Sequence, residues 1–180
     1  MADRAEVSVR PARPDDAGAL AHVQVVTWRE AYAGVLPAHA LDALTEEAVT
    51  PGWRAAITVP PSPRHRVLVG LESGSIVGYA AVAPATDEDR DPSADGELLA
   101  LQVHPAAGRR GHGSRLLAAA VDTLRDDRCA FAHTWLLAQD DVTRAFLTSA
   151  GWAPDGATRD LDMGALVHQV RLHTDVRTAG

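Results

Sequence analysis

The feature that most constrains this chain is the stretch LLALQVHPAAGRRGHGSRLLAAAVDTL, from Leu98 to Leu124, because its pattern changes twice. An apolar, strand-like run ends at His104 and Pro105, a loop rich in Gly and Arg follows, and Leu and Ala then recur at helical spacing from Ser114. The order predicts a strand, a glycine loop and a helix. N–H groups at a helix start have no intrahelical acceptors and lie at the positive end of the helix dipole, so the loop is expected to bind an anion.

The residues of the loop indicate which kind of anion site it can form. Gly111 and Gly113 let a ligand approach the backbone, and Arg109 and Arg110 supply charge for phosphate oxygens. A glycine-rich loop with solvated arginines is the alternative interpretation. A P-loop requires Lys directly after its last glycine, and a dinucleotide fingerprint requires a third glycine three residues after Gly113. The sequence contains neither pattern, so another class of phosphate site is indicated.

The remaining pattern predicts an α+β domain built on a mixed sheet. Periodicity and turn residues predict the following elements: a strand at 7–10, a helix capped by Asp15 or Asp16, a weak helical region at 46–57 that Pro51 interrupts or delays, strands on both sides of a Ser73-Gly74 hairpin turn, a strand at 97–103, a helix at 114–124, a strand at 130–138, a helix capped by Asp140 or Asp141 and ended by Gly151, and two final strands. The stretch 84–96, rich in Asp and Pro, is predicted to be a solvated loop.

Length and composition limit the classes of protein that remain. With 180 residues, 46% of them hydrophobic, the chain is expected to form one domain over 1–180 with its core at about 7–175. A net charge of −7 argues against nucleic acid as a partner. We expect no membrane partner and a cytoplasmic location, because no apolar run spans a bilayer and the first residues lack the core of a secretory signal.

Two further types of site are not favoured by the positions of His and Cys. His168 and His173 fall on opposite faces of one strand, and no Cys joins them at ligand spacing, so no metal site is expected. Cys129 and His133 form no recognisable nucleophile arrangement. The single cysteine, which cannot form an internal disulfide, is predicted to be a small buried side chain.

Three motifs in order resemble one family. The stretch LQVHPAAGRRGHGSRLL is similar to the acetyl-CoA-binding loop of the GNAT N-acetyltransferase superfamily, commonly written Arg/Gln-x-x-Gly-x-Gly/Ala, although Gly108 stands at its leading position. VRPARPDDAGALAHVQVVTWREAYAGVLP and AFLTSAGWAPDG resemble the family's opening segment and closing helix, so the resemblance covers roughly 7–175. It implies the GNAT fold: a mixed, mostly antiparallel twisted sheet of about six to seven strands, with about four helices on its faces.

The resemblance also implies roles for particular residues. Acetyl-CoA is the implied cosubstrate, and its acetyl group passes to a primary amine by direct attack in a ternary complex. Glu97 is the candidate general base, acting through water, and its alternative is a surface carboxylate at a strand end. The backbone amide of Leu101 is the candidate oxyanion donor. The cosubstrate-binding set comprises Leu101, Gln102 and Val103 for the pantetheine arm and Arg109, Arg110, Gly111, His112, Gly113 and Ser114 for the pyrophosphate. Trp28, Arg29 and Tyr32 are expected to shape the acceptor pocket.

Several points stay open in the sequence. Leu147 occupies the place of the tyrosine that many relatives use as an acid, so a non-catalytic or weakly catalytic acyl-CoA-binding or sensing domain is the alternative to an enzyme. The acidic residues between Asp87 and Asp95 suggest a cationic acceptor, but the pattern does not identify the amine. Dimers are common among relatives, which makes a homodimer one option.

Overall fold

The computed structural model describes residues 6–177; the predicted single domain over 1–180 includes residues 1–5 and 178–180, which lie outside them. The described residues contain seven strands: β1 (Val7–Pro11), β2 (Arg66–Glu72), β3 (Ser75–Pro84), β4 (Asp95–Val103), β5 (Phe131–Leu137), β6 (Ala153–Asp162) and β7 (Leu166–Asp175). They also contain five α-helices: α1 (Ala17–Ala31), α2 (Ala38–Ala43), α3 (Glu46–Thr58), α4 (His112–Asp126) and α5 (Asp141–Ser149). No helix within 6–177 is both long and apolar enough to cross a membrane.

The strands form one sheet in the order β1-β2-β3-β4-β5-β7-β6, and every pair is antiparallel except β4 with β5. Side chains of α1 and α3, including Leu20, Val23 and Trp53, pack on one face. Side chains of α4 and α5, including Leu116 and Leu147, pack on the other. The predicted mixed, mostly antiparallel sheet covered by helices is therefore confirmed, and burial of both faces supplies the main hydrophobic stabilisation.

The β2–β3 hairpin turns where the sequence predicts it. Ser73 and Gly74 both have positive φ, 49° and 81°. Two successive residues of this kind form the type I′ turn, whose twist matches that of the flanking strands. This hairpin fixes β3, which in turn pairs with the strand that lines the candidate site.

Helix α4 begins at His112, earlier than the predicted start at Ser114. Gly111 adopts the left-handed conformation, with φ 82°, and the chain turns from it directly into the helix. A side chain disfavours that backbone conformation, so glycine is suited to the position. On the other side of the helix, Leu116 and Leu124 are buried against the sheet, as the periodicity predicts.

The second helical region differs from the prediction. Pro51 neither interrupts nor delays a helix but lies inside α3. The helix already begins at the cap formed by Thr45, whose side chain accepts from the Ala48 amide at 3.2 Å. Pro51 has no N–H to donate to the carbonyl of Glu47, and the helix continues past this one missing bond to Thr58. The segment predicted to be an irregular turn contains the short helix α2, which makes five helices within 6–177 instead of about four.

Strand β4 is irregular where the site lies. Its register against β3 shifts between the pairs Ala81 with Ala100 and Val82 with Leu98, so Leu99 is an extra, bulged residue whose side chain is half exposed. A bulge bends its strand and increases the local twist. The bend directs β4 away from β5 in the middle of the sheet.

Candidate active site

A cleft opens between β4 and β5. The two strands pair only along Asp95–Glu97 and Phe131–His133, beyond which β4 follows β3 and β5 follows β7. A cavity of about 460 Å³ occupies the gap, and residues of α1, β6 and the start of α5 complete its walls. Strand β4 therefore runs along the cavity from Glu97 to Val103, directly before the glycine loop.

The exposed edge of β4 offers main-chain groups to this cleft. His104 donates its N–H to the carbonyl oxygen of Val77 on the β3 side at 2.7 Å. Because hydrogen-bonded and non-hydrogen-bonded pairs alternate along an antiparallel ladder, Gln102 also bonds to β3 through its main chain, whereas the N–H groups of Leu101 and Val103 point towards the cleft. The expected availability of Leu101 and Val103 is consistent with this geometry, but the main chain of Gln102 belongs to the sheet.

The side chain of Gln102 has a structural function on the face of the sheet that is covered by α1. Its Oε1 accepts hydrogen bonds from the hydroxyl groups of Tyr79, at 2.6 Å, and Thr27, at 2.5 Å. These bonds tie α1 to β3 and β4. Gln102 lines the cavity, and these two bonds to its Oε1 hold that wall in place.

The start of α4 leaves backbone donors free. Within residues 6–177 the N–H groups of His112, Gly113 and Ser114 have no protein acceptor, and the first helical bond runs from Arg115 to the Gly111 carbonyl at 3.2 Å. A Cβ at Gly113 would meet Phe146 at 3.5 Å, an ordinary contact. The packing of the protein itself thus tolerates a side chain at Gly113, and its absence leaves the amides accessible to a ligand.

The two loop arginines differ in their surroundings. Arg110 donates to Oε2 of Glu72 and to the Ala106 carbonyl, both at 2.8 Å. Arg109 has φ 60° and no side-chain hydrogen bond among the described residues. Gly108 ends a short 3-10 turn with its N–H bonded to Pro105 at 3.1 Å. Arg109 is therefore the freer cation, because Arg110 already has a carboxylate partner.

The position of His112 between the two glycines has a packing explanation. Its side chain is buried, and its Nε2 lies 3.7 Å from Oε1 of Glu72. The ring thus faces β2 underneath the loop. Only the backbone amide of His112 is placed to meet an anion at the start of the helix.

Glu97 lines the cavity and is only 7% exposed, so it is not a surface carboxylate. Burial, with a contribution from the charge of Asp87, raises its pKa to about 7, and Arg159 and Arg171 oppose the shift. A carboxyl group with a pKa near neutrality is partly ionised and can take up a proton at physiological pH.

His133 lies beside Glu97 because the two residues are partners in the parallel ladder. Its buried Nε2 is 3.2 Å from Oδ2 of Asp87 and 3.7 Å from Oε2 of Glu97, and burial lowers its pKa. Cys129 lies in the core on the α4 side, where Arg64 donates to its Sγ at 3.2 Å and burial raises the thiol pKa. The cysteine is buried as expected and does not pair with His133.

The acidic loop is tied to the sheet instead of being freely solvated. The Arg171 guanidinium donates to Asp87, Asp89 and Asp155, each at 2.7 Å. Its side chain is only 5% exposed, so these carboxylates neutralise a largely buried cation. Two of the five carboxylates of the loop, those of Asp87 and Asp89, are therefore already paired within the protein and are less available to a cationic acceptor.

The three residues expected to shape the acceptor pocket are not all brought together. Trp28 and Tyr32 line the cavity, with their ring centroids 5.1 Å apart. Burial and the charge of Asp140 raise the pKa of Tyr32. Arg29 instead is exposed and donates to the Leu44 carbonyl at 2.9 Å, outside the cavity. A helix places adjacent residues on different faces, which explains why Arg29 separates from its neighbour Trp28.

Leu147 also lines the cavity and is packed into the core that contains α4. A leucine there fills space and offers no proton.

The side chain of Asp140 accepts from the Thr143 amide at 2.9 Å, which confirms the predicted cap of α5. Gly151 follows this helix with φ 89°, in the predicted left-handed conformation.

One of the two histidines of β7 has an acidic partner. His168 lies at the surface, where its Nδ1 is 2.6 Å from Oδ1 of Asp160. In the part of the chain that the structure describes, no three His, Cys, Asp or Glu side chains are grouped so that they could hold a metal ion.

Sequence analysis missed several cavity residues on the last strands. Arg159, from β6, and Gln169, from β7, line the cavity together with Trp135 of β5. Arg159 lies over the Trp135 ring, 4.3 Å from its centroid, and donates from Nε to the Gln169 side chain at 2.7 Å. The alternation of β6 indicates which of its residues share one face of the sheet. No local pattern shows that β6 pairs with β7 at the sheet edge, from where Arg159 reaches the ring of Trp135.

The open edge of β4 runs from the buried carboxyl group of Glu97 to the free amides at the start of α4. This arrangement defines the class of site. It suits the transfer of a group from a long, phosphate-bearing cosubstrate. The model of the acetyltransferase (GNAT) family matches residues 27–152, and the chain belongs to this family. Its enzymes use acetyl-CoA as cosubstrate, which confirms the expectation of an acetyl-CoA-dependent acyltransferase.

Individual relatives agree with this assignment. An uncharacterized N-acetyltransferase of Bacillus subtilis, YuaI, is 28% identical over 134 residues, 74% of this chain and 73% of that protein. A mycothiol acetyltransferase of Thermomonospora curvata is 37% identical over 91 residues, 51% of this chain but only 29% of its own length. The PaiA N-acetyltransferase of Thermoplasma acidophilum, solved with coenzyme A, has the same fold, with a TM-score of 0.69, 15% identity and coverage of 94% and 99%.

Proposed function

We propose that the protein transfers the acetyl group of acetyl-CoA to a primary amine by direct attack within a ternary complex. The observation that carries the proposal is the separation of β4 from β5 directly after Glu97. It leaves a strand edge with free main-chain groups between a buried carboxyl group and the start of α4. A linear cosubstrate can lie along this edge with its phosphates at one end and its reacting group at the other.

The residues of the cleft suit acetyl-CoA. The amides of His112, Gly113 and Ser114 are the proposed pyrophosphate donors, and the charge of Arg109 supplements them. The carbonyl group of Leu101 and the main chain of Val103 are proposed to pair with the amide groups of the pantetheine arm, as an added strand would.

The chemical step requires a base and an oxyanion donor. An alkyl amine has a pKa near 10 and is mostly protonated at neutral pH, so we assign its proton to Glu97, directly or through a water molecule. As the N–C bond forms and the C–S bond breaks, the N–H of Leu101 is the proposed donor to the thioester oxygen. Tyr32, a phenol that burial keeps protonated, is the proposed hydrogen-bond donor to the departing thiolate in place of Leu147.

Two measurements test this function against the alternative of a sensing domain. Acetyl-CoA is titrated into the protein by calorimetry, and CoA release is then followed over a panel of primary amines. Binding together with amine-dependent CoA release, and an acetylated amine detected by mass spectrometry, supports the transferase. Binding without release on every amine favours the sensor, and the absence of binding overturns the proposed cosubstrate site.

A further inference from the structure

Two arginines of the final strands lie over the same aromatic ring but differ in their partners. The guanidinium groups of Arg159 and Arg171 lie 4.3 and 5.4 Å from the centroid of Trp135. Arg171 is fully engaged by carboxylates of the acidic loop and of β6. Arg159 has no carboxylate within salt-bridge distance among the described residues, although it lines the cavity.

Arg159 is held in place without being neutralised. Its Nε donates to Oε1 of Gln169, which is itself only 8% exposed, and its plane lies over Trp135. Within 6–177 its two terminal nitrogens have no hydrogen-bond partner. A guanidinium fixed by one nitrogen and by stacking presents its remaining N–H donors in an ordered fork, the geometry that binds a carboxylate with two parallel bonds.

We propose that the acceptor carries a carboxylate besides its amine, and that Arg159 binds this carboxylate while the amine lies at Glu97. The inference rests on the proposed function, because it names the substrate class of the same cavity. Arg159 and Glu97 both line this one cavity. The acceptor end of the cavity thus has one acidic and one basic side chain, the complement of an amino acid.

The other stacked arginines show that stacking alone does not account for Arg159. Arg177 lies 5.1 Å from the centroid of the Phe131 ring, outside the cavity, and forms an ion pair with Asp175. Of the three arginines stacked on aromatic rings within 6–177, Arg159 is thus the one without a carboxylate partner. A free guanidinium also disfavours polyamines and other purely cationic acceptors in this cavity.

The test compares amino acids with their own carboxamides. The panel contains common L-α-amino acids, β-alanine and 4-aminobutyrate, each beside the corresponding carboxamide, so that the spacing between amine and carboxylate varies while the amine is retained. We expect at least one acid to be acetylated with a kcat/KM at least about tenfold above that of its amide, the discrimination expected from a charge-assisted pair. In Arg159→Gln the preference should fall to within about twofold, through a higher KM for the acid, with Arg159→Lys intermediate.

Controls separate this proposal from the proposed function. Arg177→Gln removes a stacked arginine outside the cavity and should keep the preference, and both variants should bind acetyl-CoA like the wild type. Equal turnover of acids and amides, a preference that survives Arg159→Gln, or turnover of amines without any acid would overturn the carboxylate proposal while leaving the transferase intact. If no amine is acetylated, binding of the same amino acids to the CoA-saturated protein is measured by calorimetry. If none of them binds, the carboxylate proposal is overturned.

Discussion

The two ends of the cleft are built from different parts of the chain. At the cosubstrate end, the groups available to a ligand are main-chain amides of β4 and of the start of α4, and one contiguous segment supplies them. At the acceptor end they are side chains from separate strands, such as Glu97 on β4 and Arg159 on β6. Substitutions at the cosubstrate end should therefore impair binding mainly by adding bulk beside the main chain. Substitutions at the acceptor end should act by removing a functional group.

The largest expected effect comes from Glu97→Gln, which removes the proposed base but keeps the shape of the side chain. We expect kcat to fall about a thousandfold, within the range for loss of general base catalysis, with the Kd for acetyl-CoA unchanged within about twofold. Steady-state kinetics and calorimetry measure the two quantities. Glu30→Gln, on the exposed face at the end of α1, is the matched control. A kcat close to that of the wild type would remove Glu97 as the base.

The same variant should change how stability depends on pH. The pKa of Glu97 is about 7 in the folded protein against an ordinary 4.5. The folded state therefore binds this proton more tightly than the unfolded state does. The stability that the protonated Glu97 contributes is complete below about pH 4.5 and is lost as the pH rises through 7. Relative to the wild type, the free energy of unfolding of Glu97→Gln should rise on the order of 3 kcal/mol between these limits. Urea unfolding of both proteins at several pH values measures this difference, and a constant difference would contradict the burial argument.

Adding bulk at the cosubstrate end should have a smaller effect. In Gly113→Ala a methyl group enters beside the free amides, where the protein itself has room. We expect the Kd for acetyl-CoA to rise about tenfold without loss of thermal stability, because alanine favours a helix more than glycine does. Gly52→Ala in α3, whose Cβ would meet no atom within 4 Å, is the control and should bind like the wild type. Unchanged affinity in Gly113→Ala would mean that the phosphates do not approach this residue.

The contrast between the two ends also explains what the sequence could predict. The strand, loop and helix around Gly111 and Gly113 are adjacent in the chain, and local rules for glycine and for helix starts apply to them directly. Glu97 could be proposed because the family resemblance places the acetyl group against the strand that this residue opens. The alternation that directs the main chain of Leu101 towards the cleft and that of Gln102 towards β3 depends on how β4 pairs with β3, and the sequence shows no signal for that register.

The acceptor end could not be predicted because it depends on long-range pairing. Arg159 reaches the cavity only since β7 pairs with β5 and β6 then pairs with β7. The prediction of a solvated acidic loop is wrong for a similar reason, because its partner Arg171 lies on β7, far away in the sequence. A run of carboxylates predicts solvation unless the buried cation that it neutralises is known.

The smallest expected effect distinguishes the two loop arginines, which the sequence treats alike. Arg110 already has Glu72 as a partner, whereas Arg109 has no side-chain hydrogen bond among residues 6–177. Arg109→Gln should therefore weaken acetyl-CoA binding about threefold at low salt, and Arg110→Gln less than about twofold, since exposed ion pairs contribute little each. Calorimetry at low and high salt measures the difference, which should shrink as screening increases. Equal losses would mean that Arg110 leaves Glu72 for the phosphates when the cosubstrate binds.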